Sequence, residues 1–239
     1  MNEVSTFSIA IFGFLLGVKH AVEADHIAAV STIVSEERTL FRSSLVGAFW
    51  GVGHTVSLFV AATVIIGLHI ELSARMSLAM EFGVGLMLIA FGINALRKLL
   101  RGGRLHMHVH QHGRHRHTHP HIHDCGEQID LSSHHGLLIA ARPIFMGVVH
   151  GLAGTGALML LVLSTIHSPP AALLYVVLFG IGSTAGMTLM SLLVGLPAKF
   201  TAQRFALANT FLRGAAGIFS VGLGLMMLLE ISFGGKLFG

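Results

Sequence analysis

Four ionisable side chains lie within seven residues of one another in the run His20-Ala21-Val22-Glu23-Ala24-Asp25-His26, inside an otherwise apolar stretch that covers residues 7–34. Imidazole nitrogens combined with carboxylate oxygens suit nickel, cobalt and zinc, whereas calcium and magnesium prefer sites made only of oxygen. Ionisable groups at bilayer depth cost several kcal/mol and persist where they bind something. The run therefore predicts a transition-metal site inside a membrane.

A further histidine, His54, lies in the second apolar stretch, in Gly51-Val52-Gly53-His54-Thr55. The glycines allow close helix approach, which would bring His54 toward the first stretch. The predicted metal ligands are therefore His20, Asp25, His26 and His54. The alternative for His54 is a hydrogen bond to a backbone carbonyl in a helix interface.

Composition indicates the class of protein that holds this site. Of 239 residues, 53% are hydrophobic and 11% are charged, so we expect an integral membrane protein embedded in lipid.

The single cysteine, Cys125, excludes an internal disulfide. The first apolar run has no basic leader, so no cleavable signal is expected. No Gly-rich loop followed by Lys-Ser/Thr is present, so we do not expect ATP hydrolysis within this chain. We predict a transporter rather than an enzyme, with no catalytic residue and no organic cofactor. Because the basic residues cluster beside the apolar stretches, we expect no nucleic-acid partner.

The positions of the apolar stretches predict an all-α fold of six transmembrane helices, over about 7–34, 44–68, 76–96, 137–166, 171–196 and 205–233. The first, at 28 residues, would be about 42 Å long as one helix, against a hydrocarbon core of about 30 Å. In a straight helix Asp25 and His26 would lie about 140° and 120° around the axis from His20. We therefore predict that the first helix is broken at the metal motif, or that neighbouring helices supply ligands.

Between the third and fourth stretches lies a polar, histidine-rich segment, residues 101–136. We expect an irregular, flexible loop whose imidazoles buffer metal ions near one mouth of the pathway. The alternative is a solvated linker with dispensable histidines. Nine histidines lie within eighteen residues: His106, His108, His110, His112, His115, His117, His119, His121 and His123.

The second half of the chain echoes the first. His150, in Met146-Gly147-Val148-Val149-His150-Gly151, corresponds to His20, and Gly180-Ile181-Gly182-Ser183-Thr184 corresponds to the element around His54. Three spans in each half predict two inverted repeats, residues 1–100 and 137–239. We assign Glu23, His150, Ser183 and Thr184 as further ligands or pathway residues. Lys19 is an alternative partner for Glu23, and a carbonyl hydrogen bond is the alternative for His150.

Basic residues are concentrated in the first, third and fifth loops, including Arg38, Arg42, Lys199 and Arg204. The positive-inside rule then places these loops and the histidine-rich segment in the cytoplasm, and both termini outside the cell membrane. A cytoplasmic metallochaperone is an expected partner.

The pattern of His20, four residues, then Asp25-His26, followed by Ile-Ala-Ala-Val, resembles the signature of the nickel/cobalt permease family. Gly53-His54-Thr55 is similar to the second element of that family, and the segment 186–191 is similar to a later one, with Ser191 where longer members carry an acidic residue. The chain lacks the acidic motif that precedes it in those members, and so resembles the short, urease-associated branch. The resemblance implies a nickel or cobalt transporter.

Combined, these observations predict a secondary importer of Ni²⁺, or of Co²⁺. An efflux pump of the same superfamily is the alternative, because cytoplasmic histidines would also suit the capture of excess metal. A metal sensor would bind ions without moving them, and a membrane thiol-redox carrier would need two intramembrane cysteines, which the chain lacks.

Overall fold

The computed structural model describes residues 6–35, 37, 39–68, 73–101, 105–112, 115–122, 140–153, 166 and 168–233. Within these ranges the chain forms seven helices and one two-stranded ribbon. In chain order they are α1 (Thr6–His20), α2 (Ala24–Val34), α3 (Leu40–Leu68), α4 (Ala74–Arg101), β1 (Leu105–His112), β2 (His115–Ile122), α5 (140–153), α6 (Pro169–Arg204) and α7 (Ala206–Phe233).

Four of the described helices, α3, α4, α6 and α7, are long and apolar enough to cross a membrane. They coincide with the stretches expected over 44–68, 76–96, 171–196 and 205–233. Of the stretch expected over 137–166, the structure describes a helix over 140–153, and residues 154–165 lie outside the described residues. Large apolar side chains such as Leu86 and Phe211 are exposed on the outer faces of α4 and α7, as in a protein surrounded by lipid.

The first apolar stretch consists of two short helices, because α1 ends at His20 and α2 begins at Ala24. The Glu23 backbone between them is extended, with φ −66° and ψ 152°, and its carbonyl oxygen accepts the first hydrogen bond of α2, from the Ile27 N–H at 3.0 Å. The interruption expected from length and angular spacing is therefore present, and it falls within the metal motif.

Helix α6 packs along both α1 and α3, while α4 packs along α7. Two of the glycines show how close these approaches are. A Cβ at Gly17 of α1 would overlap the carbonyl oxygen of Phe179 in α6, and a Cβ at Gly147 of α5 would overlap that of Trp50 in α3. Any side chain at either position would force the two backbones apart. These glycines therefore set how near α1 and α5 lie to the long helices.

The structure differs from the sequence-based expectation in the histidine-rich segment. We predicted an irregular loop, but β1 and β2 pair antiparallel, with His106 opposite His121 and His112 opposite His115. Histidines at every second position match the two-residue period of a strand, which explains how the segment accommodates this conformation. Eight of the nine loop histidines lie in these strands, and His123 lies outside the described residues.

Candidate metal centre

The break between α1 and α2 determines where the motif side chains lie. His20 ends α1, and Asp25 and His26 stand in the first turn of α2. Because the backbone changes direction between them, the two imidazoles approach each other across the break, with ring centroids 4.5 Å apart. A single straight helix would have directed them to different faces.

His54 of α3 completes a group of three imidazoles. Its ring centroid lies 5.3 Å from that of His20 and 5.5 Å from that of His26. One potential ligand atom from each of the three residues lies within 4.8 Å of the others. Nitrogens bound to one ion at about 2.1 Å lie about 3.0–4.2 Å apart, depending on the angle between the bonds, so the separation of at most 4.8 Å is close to what one ion requires.

Four imidazole nitrogens of these three residues are buried and have no hydrogen-bond partner among the described residues. They are Nε2 of His20, Nε2 of His26 and both nitrogens of His54. His26 and His54 are 0% exposed. A buried polar atom without a partner costs about 1–3 kcal/mol, and such atoms are rare in folded proteins. In a neutral imidazole one of the two nitrogens carries a lone pair, so the three rings together can offer three lone pairs, which suits a metal cation.

Asp25 connects this group to the second half of the chain. Its Oδ1 accepts hydrogen bonds from the backbone N–H of His26 at 2.8 Å and from His26 Nδ1 at 3.0 Å. Its Oδ2 lies 3.0 Å from Nε2 of His150, a buried residue of α5. Asp25, His26 and His150 thus form a second group of potential ligands within 4.8 Å, which shares His26 with the first.

Glu23 lies on the outer side of His20. Its Oε2 is 2.8 Å from Nδ1 of His20, and its side chain is 51% exposed, against 13% for that of His20. The carboxylate therefore contacts an imidazole, whereas the sequence had left open a contact with the ion or with Lys19. The predicted residues His20, Glu23, Asp25, His26, His54 and His150 are all brought together.

Ser183 and Thr184 lie on α6, outside both groups of potential ligands. Ser183 is buried opposite Gly17 of α1, and its Oγ has no partner among the described residues. The Thr184 hydroxyl lies 3.1 Å from that of Thr55, at the contact between α6 and α3. Their role as pathway residues stays a prediction.

Two aromatic rings form walls of the site that sequence reasoning did not assign. Trp50 stacks on His26, with centroids 6.0 Å apart and planes inclined by 14°, and its edge approaches His150. Phe179 of α6 lies 5.3 Å from His20. The sequence did contain a signal for Trp50, since it stands four residues before His54 and therefore on the same helical face. Aromatic walls limit the access of water and hold the imidazoles in place.

A cluster rich in imidazole, with carboxylates beside it, suits borderline divalent ions better than Ca²⁺ or Mg²⁺. Nickel, cobalt and zinc all accept these ligands.

Comparison with known proteins identifies the family. The chain is 37% identical over 218 residues to the urease accessory protein UreH of Bacillus sp. (strain TB-90), a match covering 89% of this chain and 87% of that protein. It is 24% identical over 231 residues to the chloroplast protein FOR GROWTH AND FERTILITY 2 of Arabidopsis thaliana, covering 95% of this chain and 57% of that protein. No protein-family model matches the chain, and no solved structure does. Because the likeness to UreH extends over most of both proteins, the chain belongs to the nickel/cobalt transporter family, in the short urease-associated branch that includes UreH.

Proposed function

We propose that this protein is a secondary transporter that imports Ni²⁺, with Co²⁺ as an alternative substrate, across the cell membrane. The observation that carries the proposal is the group of four buried imidazole nitrogens on His20, His26 and His54 that have no partner in the described part of the chain. Membership of the nickel/cobalt transporter family supports the choice of ion.

In this proposal the ion exchanges its waters for the site formed by His20, Asp25, His26 and His54. Glu23 and His150 contact these residues directly and complete the site. The carboxylates offset the charge of a divalent ion, which makes its entry into a medium of low dielectric less costly. Ser183 and Thr184 belong to the pathway beside the site.

The membrane potential is sufficient to drive import. Moving two positive charges inward across about 100 mV yields about 4.6 kcal/mol, which corresponds to about a thousandfold accumulation. We place both termini outside and the histidine-rich segment in the cytoplasm, from the distribution of basic residues. The loop histidines would then receive the released ion and pass it to a cytoplasmic metallochaperone.

The two halves would act as inverted repeats that rock against each other. Matching contacts support this arrangement. Gly17 approaches the carbonyl of Phe179, and Gly147, its counterpart, approaches the carbonyl of Trp50. Phe179 stands four residues before Ser183, as Trp50 stands four residues before His54.

A further pair of counterparts, Thr55 and Thr184, contact each other directly through their hydroxyls. Two corresponding residues can touch only near the axis that relates the repeats. We therefore place the pseudo-two-fold axis at this contact between α3 and α6.

The test is accumulation of radioactive nickel in cells that express the wild type, Asp25→Asn or the control Thr32→Val, with the membrane potential intact and then collapsed. Thr32 is a buried residue of α2 whose hydroxyl donates a hydrogen bond to the Ala29 carbonyl in the same helix. We expect uptake that depends on the potential in the wild type and the control, and background accumulation in Asp25→Asn.

Near-normal uptake by Asp25→Asn would remove Asp25 from the site. Lower accumulation in wild-type cells than in cells with Asp25→Asn would instead establish efflux and reverse the proposed direction.

A further inference from the structure

Each carboxylate of the motif contacts the same ring position of a histidine. Glu23 Oε2 lies 2.8 Å from Nδ1 of His20, and Asp25 Oδ1 lies 3.0 Å from Nδ1 of His26. In both residues the other ring nitrogen, Nε2, is buried and has no partner among the described residues. The same arrangement therefore occurs twice within seven residues.

These contacts determine the tautomers of the two histidines. An ionised carboxylate can only accept hydrogen bonds, so the nitrogen facing it must carry the proton. A neutral imidazole with its proton on Nδ1 has its lone pair on Nε2. Both rings belong to the group of three imidazoles that includes His54.

We propose that Glu23 and Asp25 are positioning residues, which fix His20 and His26 with Nε2 unprotonated toward the ion and do not themselves bind it. The inference rests on the proposed function and changes it in one respect: Asp25, which the sequence analysis assigned as a ligand, supports the ring of a ligand instead of binding the ion. A carboxylate that accepts a hydrogen bond from the N–H of a metal-binding histidine orients the ring and raises the basicity of the nitrogen that binds the metal. This strengthens the bond to the metal.

The positions of the carboxylates argue against direct coordination. Glu23 lies on the Nδ1 side of His20, away from Nε2, and half of its side chain is exposed. Both oxygens of Asp25 already accept hydrogen bonds, from His26 and from Nε2 of His150. An ion bound by Asp25, His26 and His150 would have to displace the hydrogen bonds that join these three residues.

This division of roles has consequences for transport. The two carboxylates supply negative charge near the ion without occupying coordination positions, which leaves positions for water and allows the ion to depart. Because His150 lies on α5, in the second half of the chain, movement between the halves would shift Asp25 and with it the ring of His26. Ligand orientation would thus depend on the relative position of the halves.

The experiment uses the purified full-length protein, with Co²⁺ alone as the probe metal. Affinity is measured from quenching of Trp50, the single tryptophan of the chain, which lies against His26. The visible absorption spectrum of bound Co²⁺ at saturation reports the kind and number of its ligands. The variants are Glu23→Ala, Glu23→Gln, Asp25→Asn and the ligand variant His20→Ala, with Glu230→Gln, an exposed carboxylate of α7, as the matched control.

We expect Glu23→Ala to weaken Co²⁺ binding about 10–100-fold, the usual effect of removing a partner behind a metal-binding histidine, with an unchanged spectrum at saturation. Glu23→Gln should recover part of the affinity, because its amide oxygen can accept the same N–H. Asp25→Asn should bind more weakly, also with an unchanged spectrum. His20→Ala should change the spectrum, and Glu230→Gln should match the wild type.

A changed spectrum in Glu23→Ala or Asp25→Asn would show that the carboxylate is a ligand and would overturn the inference for that residue. Wild-type affinity in Glu23→Ala would overturn it as well. Both results leave the proposed function intact. Failure of the wild type to bind Co²⁺, or wild-type binding by His20→Ala, would instead overturn the metal site on which the proposed function rests.

Discussion

Replacing His54 by leucine should make the metal-free protein more stable while removing its response to nickel. Both ring nitrogens of His54 are buried and lack a partner among the described residues. The residue is 0% exposed, so the side chain gains no compensation from solvent. Leucine has a similar volume and no polar atoms, and therefore removes the cost of desolvating the imidazole.

The expected gain in the free energy of unfolding is about 1–3 kcal/mol, the cost of leaving a buried polar group unsatisfied. For a chain of this size, each kcal/mol corresponds to about 2–4 °C in Tm. Nickel at a hundred times its Kd should stabilise the wild type by about 2.7 kcal/mol, and the variant by much less. Thermal unfolding of the purified protein, with and without Ni²⁺, measures both effects.

Thr32→Val is the matched control, because it removes a buried hydroxyl that already has a partner, the Ala29 carbonyl. It should lose at most about 1 kcal/mol of stability and keep the full nickel-induced shift. The reasoning would be refuted if His54→Leu lowered Tm in the absence of metal and retained the wild-type shift with Ni²⁺. His54 would then be a structural residue of the α3 interface.

Two further predictions concern helix packing and the histidine-rich segment. Gly147→Ala should lower the free energy of unfolding by about 1–3 kcal/mol, because the methyl group would overlap the Trp50 carbonyl. The control is Gly222→Ala, which has open space around the added methyl group and should be close to neutral in the same unfolding assay. Replacing the nine histidines of residues 106–123 by serine should lower the number of nickel ions bound per protein, as measured by equilibrium dialysis. The initial rate of nickel uptake should remain nearly unchanged. A fall in the uptake rate in proportion to the loss of bound metal would contradict the buffering role.

The interruption of the first helix could be predicted from the sequence, since it follows from the length of the apolar stretch and from the angular spacing of its ionisable residues. Neither quantity requires knowledge of the tertiary structure. The apolar stretch is longer than the bilayer core, and the angular spacing separates His20 from Asp25 and His26. The approach of His54 was also predicted, but from glycines that contact other helices in the structure: a Cβ at Gly51 would overlap Thr184 of α6, and a Cβ at Gly53 would overlap the Ile144 carbonyl of α5. These arguments depend on helical geometry, which is the same in every protein.

The contact between Asp25 and His150 could not be predicted in the same way. The two residues are 125 positions apart, and their distance depends on how α5 packs against α3. The internal repeat equated His150 with His20 but gave no indication of which atoms would meet. The partner of Glu23 was equally undetermined, because a carboxylate there could reach Lys19, His20 or an ion. The hairpin of the histidine-rich segment was not predicted, because the alternation of histidine with other residues indicates a strand only if a second strand is available to pair with it.

The arrangement of small residues explains why the site is assembled from distant parts of the chain. Gly147 and Gly151, which flank His150, bring α5 against α3 at the turn that carries His54, and a Cβ at either glycine would overlap atoms of that helix. The polar groups by themselves would favour separation, because four imidazole nitrogens of the cluster are buried without a partner in the ranges that the structure describes. Close backbone packing therefore holds together a cluster that is unfavourable without its ion. A transport site benefits from this balance, since rigid packing keeps the ligands ready while the unsatisfied nitrogens favour binding.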